Sequence, residues 1–125
     1  MVERMRKRVH GYLLLMFVLT TGGCASAPRF ARADLRRQQY LATHREVPVD
    51  IAVAINAGHV SLGMDRDQVR AVLGEPVRIA EFSRSHAEIW LYPASRFHQD
   101  QMHSHGAESF RLVFLGERLS TIEPV

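Results

Sequence analysis

The chain changes its hydrophobic period at Pro76, and few folds accommodate that change. Before it, "GMDRDQVRAVLGEP" (63–76) places Val69, Val72 and Leu73 on one face of a helix. Asp65 is positioned to cap that helix, and Gln68, three residues on, completes a capping box. Gly74 suits the left-handed position after the last turn, and Pro76 cannot continue the helix. After Pro76 the period falls to two. "VRIAEFS" predicts a strand over 77–83, and "AEIWLYP" a second over 88–92. "SFRLVFLGERLSTIEP" predicts a third over 110–115, a Gly116-Glu117 turn and a last strand over 119–122.

Upstream, "VDIAVAINAG" predicts a short helix capped by Asp50 and stopped by Gly58, with Ile51, Ala54 and Ile55 on one face. Phe30 to His44 has a sparse helical pattern of Leu35, Tyr40 and Leu41, and Pro48 interrupts it. The expected fold is therefore α+β: two or three short N-terminal helices packed on a three- to four-stranded antiparallel meander.

The first residues follow different rules. "MVERMRKRVHGY" is a positive region, "LLLMFVL" a short apolar one, and "TTGGC" a run of small residues. That order is a secretory signal, and its apolar part falls far short of the ~20 residues of a membrane-spanning helix. The alternative is an uncleaved N-terminal anchor. "TTGGCAS" resembles the bacterial lipobox, in which cleavage exposes a cysteine that carries lipid, palmitate among its acyl chains. Gly22 and Gly23 suit the two positions before the cut, while Thr21 stands where an aliphatic residue is usual. The resemblance implies a signal peptide over 1–23, lipid on Cys24, and a tethered helical segment over 24–48 ahead of the domain 49–125. Ala25 after the cysteine implies sorting to the outer membrane, with the domain facing the periplasm. Two or more acyl chains hold a protein stably on a bilayer. The other reading of Cys24 is an incidental thiol near an ordinary cleavage site.

Charge argues against nucleic acid. The net charge of +3 comes from the leader, and residues 24–125 carry 12 basic and 12 acidic side chains. A neutral domain lacks the broad electrostatic footprint that phosphate binding needs. A single cysteine excludes an internal disulfide.

The segments "AINAGHVSLGMDRDQVRAVLGEP", "IWLYP" and "FRLVFLGERLSTI" together resemble the SmpA/OmlA (BamE-like) family of outer-membrane lipoprotein domains. Gly63, Met64, Gln68, Val69, Leu73, Gly74, Pro76, Trp90, Tyr92 and Phe114 carry the likeness, over roughly 55–125. Asp65 stands where the family often has Thr, and both cap helices. The resemblance implies a non-catalytic interaction module of the cell envelope, accessory to assembly of β-barrel outer-membrane proteins. Its matched residues are mostly scaffold.

Two groups of residues are candidates for function. Both faces of the sheet carry apolar side chains. One reading makes Trp90, Tyr92, Val113 and Leu115 a partner-binding patch with the aromatic residues as anchors, so that Trp90→Ala weakens a contact without unfolding the domain. The other has the 30–44 helix covering that face. In "FHQDQMHSHG", His98, His103, His105 and Asp100 supply three imidazoles and a carboxylate, a donor set suited to zinc or copper(II). The alternative there is an ordinary polar loop. No nucleophile elbow, phosphate loop or paired carboxylates suggest an enzyme, and beyond a metal at the histidine loop no cofactor is expected.

Overall fold

A computed structural model describes residues 29–101 and 106–125. The leader, Cys24, the tether to Pro28, His103 and His105 lie outside the described residues. Three helices, α1 (Arg29–Thr43), α2 (Val49–Ala57) and α3 (Arg66–Leu73), precede four strands: β1 (Arg78–Phe82), β2 (Ala87–Pro93), β3 (Ser109–Leu115) and β4 (Arg118–Pro124). The strands form one antiparallel sheet in the order β1-β2-β3-β4, so the α+β meander expected from the sequence is the fold. Among the described residues no helix is long and apolar enough to cross a membrane.

Local chemistry explains both short helices. The Asp65 side chain accepts from the Gln68 N–H at 2.8 Å, and the Gln68 side chain accepts from the Asp65 N–H at 2.9 Å. This is the reciprocal capping box read from the sequence. Val69, Ala71, Val72 and Leu73 are buried on one side of α3. Helix α2 ends as expected at Gly58, left-handed at φ 77°, with the His59 N–H reaching back to the Ala54 carbonyl at 2.9 Å. Its start differs from expectation. Pro48 occupies the cap position and Asp50 lies inside the first turn, where its charge faces the positive end of the helix dipole.

The end of α3 also departs from the sequence reading. Gly74 has φ 78° and ψ −162°, outside the left-handed helical region and in one that only glycine enters freely. There is a second reason for glycine here. A Cβ would stand 3.0 Å from Arg96 Nη1 and 3.3 Å from Arg36 Nη1. Both guanidiniums are fixed on carbonyls of the helix end. Arg36 donates to Ala71 and Val72, each at 2.9 Å, Arg96 donates to Leu73 at 2.9 Å, and the Tyr92 hydroxyl donates to Gly74 at 2.7 Å.

The core lies between the sheet and the α2–α3 pair. Ile55, Val60, Met64, Val69, Val72 and Leu73 meet Trp90, Tyr92, Phe97, Phe110, Leu112, Phe114 and Leu119. Helix α1 packs on α2 and α3. It buries no residue fully and contributes only the half-buried Tyr40 and Leu41 to the core margin. It is therefore not the cover of the second sheet face.

Trp90 and Tyr92 are both fully buried, which corrects their reading as exposed anchors. Register gives the reason. Trp90 pairs with Leu112 and Tyr92 with Phe110, and directly paired residues share a face. Val113 and Leu115 lie on the opposite face, so the four residues never formed one patch. Trp90 also packs at a tilt against Phe114, with ring centroids 4.7 Å apart, and lies under the Arg70 guanidinium at 4.4 Å. Trp90→Ala is accordingly expected to cost about 3–5 kcal/mol of stability, measured by chemical denaturation. Gly74→Ala is expected to cost about 2–3 kcal/mol in the same measurement, because it strains the backbone and displaces two guanidiniums.

Candidate functional site

The sheet face turned away from the helices is a ladder of matched rows. Phe82, Ala87, Leu115 and Arg118 form one row; Ala80, Ile89, Val113 and Thr121 form the next; Arg78, Leu91, Arg111 and Glu123 form the third. The first two rows are apolar across β1, β2 and β3 and end on β4 in Arg118 and Thr121. The third is polar at its ends, where Arg111 and Glu123 pair at 3.2 Å. Phe82 and Leu115 are about half exposed, at 51% and 52%, and none of the apolar side chains in these rows joins the core. Among the described residues this aliphatic strip is the counterpart of the aromatic inner face. It retains Val113 and Leu115 from the expected patch and adds Ile89, Leu91 and Phe82.

A second cluster forms where the β2–β3 connection folds back on the end of α2. Phe97 anchors the connection in the core, with ring centroids 4.8 Å from Phe110 and 6.4 Å from Tyr92. Four residues on, the Gln101 side chain clamps the Val60 peptide, accepting from its N–H at 3.0 Å and donating to its carbonyl at 2.9 Å. Between these anchors, Asp100 is shared by two imidazoles. His98 Nδ1 lies 2.7 Å from one carboxylate oxygen and His59 Nε2 lies 2.9 Å from the other. The two rings meet edge-on at 5.4 Å. Desolvation pushes the Asp100 carboxyl up, but the hydrogen bond from His98 and the neighbouring imidazole charges outweigh it and hold it below the usual carboxylate value.

His98 and Asp100 of the expected metal set are thus together, and His103 and His105 lie outside the described residues. Sequence reasoning missed His59. Nothing in its local spacing connects it to a loop 39 positions away; only the Gly58 turn, which directs the chain off α2, brings it there.

Comparison with protein-family models, with curated proteins and with solved structures finds no match. The site must be argued from its own chemistry.

Tyr92 ties the sheet to the end of α3 through its hydroxyl bond to the Gly74 carbonyl. Burial first, and then the charge of Glu75, push its phenol far above the ordinary tyrosine value, against the opposing pull of Arg70, Arg96 and Arg36. A raised phenol is held neutral by the fold. Its contribution is complete below the unfolded value of about 10 and is lost as pH rises through that value toward the folded one. Tyr92→Phe is expected to cost about 1–2 kcal/mol near neutral pH, because the Gly74 carbonyl loses its donor. It is also expected to flatten the fall in stability above about pH 10. Denaturation midpoints measured across that range check both effects.

Proposed function

We propose that this chain is an outer-membrane lipoprotein, anchored through lipid on Cys24, whose domain faces the periplasm and serves as a non-catalytic docking module for another envelope protein. The observation that carries this reading is the outer sheet face: two adjacent rows of apolar side chains across β1, β2 and β3 with nothing from the described helices against them. Contiguous exposed apolar surface in a folded domain marks an interaction site. The basic, then apolar, then small-residue order of the leader supports secretion and anchoring. The resemblance to the SmpA/OmlA family supports the envelope setting and names the barrel-assembly machinery as the first partner to test.

The polar third row gives the docking a direction. Arg78 and Arg111 stay hydrated at one end of the strip, so a partner seats its apolar surface over Ile89, Val113 and Leu115 and keeps its polar rim near the arginines.

The test is crosslinking in intact cells followed by purification from the outer membrane. The chain is expected to bring down barrel-assembly components, and Cys24→Ala to lose them with the anchor. Leu115→Asp is expected to lose them while leaving stability within about 0.5 kcal/mol, as befits a half-exposed side chain. A Leu115→Asp protein that still captures the same partner would remove the sheet face from the reading.

A further inference from the structure

We propose that His59, His98 and Asp100 form a binding site for a divalent transition-metal ion, with zinc as its natural probe. The inference is independent of the docking face, which occupies the other side of the sheet.

The donor atoms of the three side chains lie within 4.8 Å of one another. Two imidazole nitrogens and a carboxylate oxygen are the ligand types zinc takes in three-residue sites, which leave a fourth position for water or another ligand. Bonds of about 2.0–2.2 Å at tetrahedral angles set donors about 3.3 Å apart. The present contacts of 2.7 and 2.9 Å, one to each oxygen of Asp100, would open by about half an ångström to admit the ion, and the two imidazole nitrogens, within 4.8 Å of each other, would close on it. On metal entry each imidazole binds through the nitrogen that now faces Asp100 and carries its proton on the ring's other nitrogen.

The backbone under the donors is fixed. His59 follows the Gly58 ending of α2, and its own N–H is bonded to the Ala54 carbonyl. His98 directly follows the buried Phe97. Asp100 precedes Gln101, whose amide is locked on Val60 from both sides. The two histidines come from segments distant in sequence, so the ion would join the β2–β3 connection to the end of α2. The site is also open: His98 and Asp100 are 60% and 56% exposed and His59 is 32% exposed, which leaves an entry path.

The test is calorimetric titration of zinc into the full chain in detergent, carrying Cys24→Ser so that no thiol competes. One ion per chain with low-micromolar affinity or better is expected. His59→Ala and His98→Ala should each weaken binding at least about tenfold, the scale on which losing a metal's supporting contact is felt. His103→Ala should change it less than about threefold. X-ray absorption of the zinc-loaded parent should show two imidazoles and a carboxylate, a readout that does not depend on any variant folding. An absent titration, or a spectrum without two imidazoles, would overturn the site. So would a reversed ranking, in which His103→Ala abolishes binding and His59→Gln leaves it intact, because the ion would then belong to a loop chelate without α2.

Discussion

Four consecutive carbonyls at the end of α3 hold the domain together. A helix leaves its last carbonyls without internal partners. Here the partners of Ala71, Val72, Leu73 and Gly74 come from three different parts of the chain: Arg36 of α1, Arg96 of the β2–β3 connection and Tyr92 of β2. A buried carbonyl without a donor costs about 1–3 kcal/mol, so the arrangement is stabilising as a set. It also suits the helix dipole, whose negative end meets two cations. The crowding has a cost. Desolvation, followed by the charges of Arg96 and Arg37, pulls the Arg36 pKa below its ordinary value. The carbonyls and the dipole offset that repulsion, and Gly74 leaves the room for both guanidiniums.

This network also explains how α1 belongs to the fold. Its apolar stripe is too thin to bury anything fully, and Phe30 and Leu35 remain largely exposed. What fixes it is Arg36 on the α3 carbonyls, with the margins of Tyr40 and Leu41 against the core. A helix attached mainly through one guanidinium is easier to release than one attached through a packed face, because water can replace hydrogen bonds but not buried apolar contact.

What could be read from the sequence was local. The capping box needs only residues three apart, and the Gly58 ending needs only its neighbours, so both were legible. The strands were legible as alternation, to within one or two residues at their ends. The inner and outer faces of the sheet were not, because each carries apolar groups and the long connection over 94–108 leaves the β2–β3 register unset by any tight turn. Once Trp90 pairs with Leu112, every aromatic residue on these two strands falls on one side together with Leu112, and Ile89, Leu91, Val113 and Leu115 fall on the other. His59 and Arg36 were illegible for the same reason. Each acts on residues more than thirty positions away, through a geometry that exists only after the helices dock.

The sheet is finished on one side and unfinished on the other. A sheet in water covers at least one apolar face with another layer, and here α2 and α3 do so over Trp90, Tyr92, Phe110, Leu112 and Phe114. The outer face has aliphatic side chains of a size that pack well against a second surface, and its centre, Ile89 beside Ala80 and Val113, is already half shielded by its own neighbours. A fully solvated antiparallel face would alternate to polar residues instead. Polarity returns along the β4 edge, at Arg118 and Thr121, and at the Arg78–Leu91–Arg111–Glu123 row, next to the end of the sheet where β2 enters its long connection to β3. A layer added by a partner would therefore lie toward the Phe82–Leu115 end. The imidazole cluster, beyond the opposite end and on the helical side, would stay open to solvent and to an ion whether or not that partner is bound.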